Sequence, residues 1–314
     1  MGSPLVSFVV PVFNSENDIA RCLLSLRDQK FPEGEYEVLI LDNGSTDHTH
    51  QIMRELGCDF QVVPHVNVSA LRNRGATMAR GEYVAFVDSD VELMPYWLQG
   101  SLSAFENSQV VACGCFPGVP AEATWVQQTW DLHQRRRQLV TPTPVSWVTS
   151  MNMIVRRDDF LAISGFNEHL KTSEDVDMCY RLGQHGVILY NPALEAVHWG
   201  EARDLKMFWR KEVWRGIGSL KGVVSHGLRW DELPSLGYPF YVICLVLLLC
   251  LGLHVDLWRG QILMAPLCFV LLLFPALLLS LNTVRLAKCP GAIARLALLY
   301  FLYGFARAYS LLKP

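Results

Sequence analysis

The stretch Tyr83-Val84-Ala85-Phe86-Val87-Asp88-Ser89-Asp90 decides the fold. Its first five residues are an unbroken apolar run rich in β-branched and aromatic side chains, too short for a helix, and read as a strand buried on both faces. Such strands occur in largely parallel sheets with helices packed above and below. The run passes straight into two carboxylates, Asp88 and Asp90, and sheets of this kind bind ligands in the crevice just beyond the strand ends.

The pattern repeats on both sides. Leu5 to Val12 is another buried strand and feeds a helix between Asn14 and Arg27, with Ile19, Cys22, Leu23 and Leu26 at helical spacing. Tyr36 to Leu41 is a strand closed by the turn Asp42-Asn43-Gly44-Ser45-Thr46-Asp47, and a helix follows from Thr49 to Leu56. Phe60 to Pro64 then reads as strand and Ser69 to Ala79 as helix. Downstream, Ser108 to Cys113, Ser146 to Val155, Val187 to Tyr190 and Ala196 to His198 read as strands, with helices at Asp158 to Ile163 and Ser173 to His185. Cys115 to Thr143 breaks the rhythm and is expected to be variable, substrate-facing structure. Strands alternating with helices of these lengths predict an α/β fold with a mostly parallel, doubly wound sheet. Asn14, Asp42 and Asp88 then share one rim.

The carboxyl-terminal third differs in kind. Between Tyr238 and Leu281 the only formally charged residues are Asp256 and Arg259, in a short break between the apolar runs Tyr238 to His254 and Ile262 to Leu281. A helix of about 20 apolar residues crosses about 30 Å of hydrocarbon, so these runs predict a transmembrane helical hairpin. Cations such as Arg203, Lys206, Arg210, Lys211, Arg285, Lys288 and Arg295 lie on both flanks, against Arg259 alone in the loop. The positive-inside rule then puts both flanks, and the amino-terminal domain, in the cytoplasm. Arg203 to Leu220 suits either a helix in the headgroup layer or one packed on the amino-terminal domain. Arg295 and Arg307 interrupt the stretch 292–312, which is expected to lie at the interface rather than span. The expected organisation is a catalytic domain over 1–202, an amphipathic segment over 203–235, two transmembrane helices over 236–284 and an interfacial helix over 285–314.

A net charge of -3 with no long basic run argues against nucleic acid as a partner. Nine cysteines without a CxxC pair read as reduced thiols rather than disulfides or a zinc cluster. Oligomeric state has no signature in the sequence.

Several ordered elements resemble family 2 of the inverting glycosyltransferases. They are Val9-Val10-Pro11-Val12-Phe13-Asn14, Leu41-Asp42-Asn43-Gly44-Ser45-Thr46-Asp47, Ala70-Leu71-Arg72-Asn73-Arg74-Gly75 with Ala79-Arg80-Gly81-Glu82, Phe86-Val87-Asp88-Ser89-Asp90, and Gly165-Phe166-Asn167-Glu168 with Ser173-Glu174-Asp175-Val176-Asp177. The resemblance implies the GT-A fold, a Rossmann-like doubly wound mixed sheet, and transfer of a sugar from a nucleotide diphosphate donor. By the same resemblance Pro11, Phe13, Asn14, Glu16 and Asp42 enclose base and ribose, and Arg72, Asn73, Asp88 and Ser89 line the donor pocket. Asn43 stands where many members carry a second Asp.

Asp88, Asp90 and, by resemblance, His198 are the expected metal ligands for Mn2+ or Mg2+, since hard carboxylates suit both ions and imidazole favours Mn2+. Asp175 is the candidate general base, with Glu174 raising its proton affinity or positioning the acceptor. An acidic helix start explains the same residues without chemistry. The hairpin suggests a membrane-associated acceptor, either a lipid-linked sugar or a glycan. Transfer to a polyprenyl phosphate and a non-catalytic nucleotide-sugar-binding scaffold are the alternatives.

Overall fold

The computed structural model describes residues 3–32, 34–135, 140–217, 233–260 and 262–312. The chain divides into two compact units, Met1–Pro120 with Leu139–Glu201, and Ala121–Gln138 with Ala202–Pro314.

The first unit is an α/β sandwich. Its helices are α1 (Ile19–Arg27), α2 (Thr49–Glu55), α3 (Val68–Met78), α4 (Trp97–Ser103), α6 (Arg157–Ala162) and α7 (Glu174–Leu182), and α5 (Trp125–Arg135) belongs to the other unit. The strands are β1 (Val6–Val12), β2 (Tyr36–Asp42), β3 (Phe60–Val62), β4 (Tyr83–Val87), β5 (Val91–Leu93), β6 (Val110–Gly114), β7 (Thr143–Pro144), β8 (Asn152–Arg156), β9 (Val187–Tyr190) and β10 (Ala196–His198). Eight of them form one sheet in the order β3-β2-β1-β4-β8-β6-β9-β7, and β5 pairs with β10 in a separate antiparallel ribbon. β3, β2, β1 and β4 are parallel, β8 is antiparallel to both β4 and β6, and β7 is antiparallel to β9. The sheet is therefore mixed, with the reversed strand β8 at its centre.

Pleating distributes the apolar runs between two cores. Val6, Phe8, Val10 and Val12 of β1 pack with Ile40, Ala85 and Val87 on one face, and Val9 packs with Leu41, Val84, Phe86, Met153 and Val155 on the other. Every residue of β1 is buried, which is why its sequence shows no polar alternation. Helix α3 approaches β1 so closely that a Cβ on Gly75 would overlap the Val9 side chain.

The second unit is helical. It contains α5, α8 (Leu205–Ile217), α9 (Leu233–Arg259), α10 (Met264–Ala287) and α11 (Ile293–Ser310). Sequence periodicity alone assigns α5 to the catalytic stretch. In the structure its Trp130 meets Phe208 edge-on at 4.8 Å and Tyr300 at 5.6 Å, so it packs with the carboxyl-terminal helices.

Among the described residues three helical stretches, Gly237–Arg259, Met264–Ala287 and Pro290–Ser310, are long and apolar enough to cross a membrane, with mean hydropathies of 2.4, 2.5 and 1.2. The third takes in all but the last two residues of 292–312, the stretch expected to lie at the interface. Its Arg307 is neutralised by Glu212 of α8, which is 1% exposed and also bonds Arg215 at 2.6 Å. Arg295 stands over the Trp125 ring at 5.9 Å. Asp256, in the break between the first two runs, accepts the backbone N–H groups of Leu263, Met264 and Ala265 and so caps α10.

Candidate active site

Because β1, β2 and β4 are parallel neighbours, their carboxyl ends open on one edge of the sheet. Asn14 follows β1 with a left-handed backbone (φ 47°). Its N–H donates to Ser45 Oγ at 2.8 Å, and its Oδ1 accepts from Thr46 N at 2.9 Å. Ser15 N donates to Thr49 Oγ1 and Glu16 N to Asp47 Oδ2, while Glu16 Oε2 accepts from His48 N at 3.0 Å and lies 2.7 Å from His48 Nδ1. The loop after β1 is thus stitched to the turn after β2, with Pro11 buried in the strand and the Phe13 ring exposed beside it.

Asp42 ends β2 with no exposed surface. Gly44 N, Ser45 N, Ser45 Oγ and His50 Nε2 all converge on its two oxygens. Burial alone would raise its pKa, but these donors hold the carboxyl below its ordinary range. The sequence reading sets this carboxylate against a nucleobase; here its partners are its own turn and His50.

Arg72 on α3 is the centre of the site. It is 2% exposed, and its guanidinium holds Asp88 Oδ1 at 2.6 Å and Glu174 Oε1 at 2.9 Å, joining the end of β4 to the first turn of α7. Nε of the same guanidinium is buried without a hydrogen bond. Asp175 follows Glu174, is half-buried, and accepts from Val176 N at 2.9 Å. Burial, then the charge of Glu174, raises its pKa to about 7. The two carboxylates that the sequence places on the donor and acceptor sides therefore meet through one cation.

The β5/β10 ribbon assembles a second group. His198 is buried, its Nε2 is 3.2 Å from Asp90 Oδ2, and its Nδ1 is 3.6 Å from Glu201 Oε2. Burial would lower the imidazole pKa, but Asp90 and Glu201 raise it to about 9. A Cβ at Gly200 would overlap Asp90 Oδ2 and crowd His198 Nε2, so this close approach needs glycine. Among the described residues no three His, Cys, Asp or Glu side chains converge as a ready-made cation cage, because Asp88 is turned to Arg72. The donor set still fits a divalent ion: one hard carboxylate and one imidazole with an acidic partner on its far nitrogen.

Other expected residues have partners within the fold. Asn73 Nδ2 donates to Phe166 O and Glu168 Oε1 and its Oδ1 accepts from Phe166 N, so its amide holds the loop 165–168. Ser89 O accepts from Ser15 Oγ at 3.5 Å. Trp147 meets Phe116 edge-on at 5.3 Å, and the Trp199 ring lies under Arg21 at 3.6 Å. Glu201 and His50 escape sequence reasoning. Glu201 has a weak signal, its spacing of three residues from His198; His50 has none until the chain folds it onto Asp42.

The family model described as Glycosyl transferase family 2 matches residues 7–163, half of the chain, including Asn14, Asp42, Arg72, Asp88 and Asp90 of this site. The chain belongs to glycosyl transferase family 2. Within the family it is 26% identical over 197 residues to glycosyltransferase AglE of Haloferax volcanii, covering 59% of this chain and 64% of that protein. It is 30% identical over 207 residues to the pre-mycofactocin glycosyltransferase of Mycobacterium tuberculosis, covering 62% of this chain and 42% of that protein. The chain thus spans less than two thirds of the length of either relative. The mannosyltransferase PcManGT from Pyrobaculum calidifontis, solved in complex with GDP-Man and Mn2+, has the same fold, with a TM-score of 0.63 at 17% identity over 99% of this chain and 88% of that one. This family 2 chain carries its glycosyl transferase domain on a GT-A fold.

Proposed function

We propose that this glycosyltransferase inverts the anomeric centre of a sugar taken from a nucleotide diphosphate donor and delivers it to the hydroxyl of a lipid-linked or glycan acceptor at the cytoplasmic face of a membrane. The observation that carries this reading is the Arg72 guanidinium shared between Asp88 and Glu174, which draws the two acidic ends of the site to within one side chain of each other.

In the proposed reaction Asp175 takes the proton from the acceptor hydroxyl as that oxygen forms its bond to the anomeric carbon. The bond from that carbon to the diphosphate oxygen breaks on the opposite face, and the nucleoside diphosphate leaves with the electron pair. A proton affinity near neutrality suits a carboxylate for this work, and burial beside Glu174 supplies it. Arg72 holds Glu174 beside the base and stands near the diphosphate as a fixed positive charge. Phe13 offers an exposed face to the base, and the stitched turn at Asp42 holds its neighbours in place. Asp90 and His198, with Asp88 once it leaves Arg72, would hold Mn2+ or Mg2+. Such an ion supplies charge neutralisation of the departing diphosphate. The Mn2+ in the PcManGT complex supports this choice.

The membrane part of the proposal rests on the three apolar helices and on the cations of 203–221 and 285–307. The test is release of nucleoside diphosphate by the purified full-length chain in detergent with Mn2+, across a panel of nucleotide sugars that includes GDP-mannose. Turnover that needs the metal and disappears in Asp175→Asn supports the reading. Absence of release from every donor, with or without a lipid extract as acceptor, overturns it.

A further inference from the structure

Asp90 and His198, the pair assigned above to a divalent ion, stand on one small element. Asp90 precedes β5 and His198 ends β10, and the two strands pair antiparallel over three residues each, with His198 opposite Val91. A two-stranded ribbon of this length is marginal on its own, so its shape depends on what braces it. Gly118 holds β10, accepting from His198 N and donating to Ala196 O. β5 is fixed to α1, where Ser25 Oγ accepts from Leu93 N at 3.1 Å. Neither contact joins β10 to α1.

Trp199 supplies that link. Its backbone N–H donates to Asp90 O at 2.9 Å, and its indole Nε1 donates to Glu92 Oε2 at 2.8 Å. The residue next to His198 is thus bonded to Asp90 itself and to the carboxylate two places on. Over the indole lies the Arg21 guanidinium of α1, 3.6 Å from the ring centroid, where a cation and an aromatic face attract. Arg21 also pairs with Asp18 at 3.1 Å, but at 36% exposure that pair is screened by water and contributes little by itself. The indole face gives the guanidinium its fixed place, and the guanidinium in turn ties β10 to α1.

We infer that Arg21 and Trp199 form a clamp that sets the separation of Asp90 and His198 for a divalent cation, Arg21 being a positioning residue that acts through the indole. The inference rests on the metal reading above. Without the clamp the ribbon keeps its backbone pairing, but β10 loses its side-chain tie to α1. His198 must then be ordered against Asp90 at the moment of binding, which weakens the ion's hold. The two sheet cores contain neither Arg21 nor Trp199 and keep their packing.

The probe is Mn2+ alone, titrated into the full-length protein in detergent and followed by the electron paramagnetic resonance signal of the free ion. Arg21→Ala is expected to raise the Mn2+ Kd about ten-fold, the scale on which residues behind the ligands tune a metal site. Its melting temperature should fall by no more than about 4 °C. Arg21→Lys keeps a cation over the ring and should stay within about three-fold of the wild-type Kd. Trp199→Phe keeps a face for Arg21 but loses the bond to Glu92; it is expected to weaken binding, and it decides the matter by the same readout if Arg21→Ala does not fold. Arg27→Ala is the control, a cation of the same helix turned instead to Leu56 and Cys58, and should leave the Kd within about two-fold. An Arg21→Ala protein that binds Mn2+ as the wild type does, whatever its melting temperature, or an Arg27→Ala protein that loses as much, overturns the inference and leaves the metal reading standing. A wild-type protein that takes up no Mn2+ removes both.

Discussion

Arg72 Nη1 bonds Glu174 Oε1 at 2.9 Å across 102 residues of sequence, and Nη2 of the same guanidinium bonds Asp88 Oδ1. Desolvation would weaken the charge of a side chain this buried, but the two carboxylates more than offset it. Lysine keeps the charge without the planar fork, so it can serve one partner at a time. Arg72→Lys is expected to lower kcat/KM by about 10²-fold, and Arg72→Met by more, since it leaves two acids unpaired. Nucleoside diphosphate release measures the loss. Circular dichroism distinguishes it from unfolding.

Asp175→Asn is expected to cut kcat by about 10²- to 10⁴-fold, the usual worth of a general base. Donor affinity, read by titration, should stay within about two-fold, because Asp175 acts on the acceptor. Unchanged turnover in this variant would rule out the base assignment.

The same residue sets a pH limb. A base with a folded pKa of about 7 is protonated in acid, so kcat should rise with pH through about 7 and then level off. The sign for stability is the opposite. The folded state binds this proton more tightly than the unfolded chain, whose carboxyl keeps its ordinary value of 3.8, so Asp175 costs the fold increasingly as pH rises from near 4 to about 7. Asp175→Asn should therefore melt higher than wild type in neutral buffer and lose that advantage in acid. Scanning calorimetry at both extremes checks it.

Gly200 guards the Asp90–His198 corner. Gly200→Ala puts a methyl group onto Asp90 Oδ2 and is expected to weaken Mn2+-dependent donor binding about ten-fold or more. His198→Ala should do the same by removing a ligand instead of crowding it. If Gly200→Ala binds donor and Mn2+ as well as wild type, that corner does not hold the ion.

Glu212 is the test for the helical unit. It is buried with Arg215 and Arg307 on it, and Glu212→Gln removes the carboxylate charge that both arginines share. A loss of about 3 kcal/mol in unfolding free energy, or failure to survive detergent extraction, is the expected result for a broken buried pair. Glu212→Gln with Arg307→Met should recover part of the loss. A double variant no better than the single would show that the pair is dispensable.

Much of this molecule is legible along the chain because its information is local. The apolar runs of β1 and β4 read as buried strands and β2 as a strand buried toward its end, each followed by turn residues, so the rim carrying Asn14, Asp42 and Asp88 follows from periodicity and turn chemistry. The long apolar stretches of α9 and α10 declare themselves the same way.

Direction and partnership were decided only by folding. Nothing in Asn152–Arg156 says that β8 runs against β4 and β6, because a fully buried strand reads alike in either sense. The helix Trp125–Arg135 joins the carboxyl-terminal helices because Trp130 fits Phe208 and Tyr300, a matter of shape between distant segments. Arg72 with Glu174, His50 with Asp42 and His198 with Asp90 are contacts that exist only once the sheet has closed its neighbours together. A sequence names the charges a chain carries, but their pairing depends on distances, and those belong to the fold.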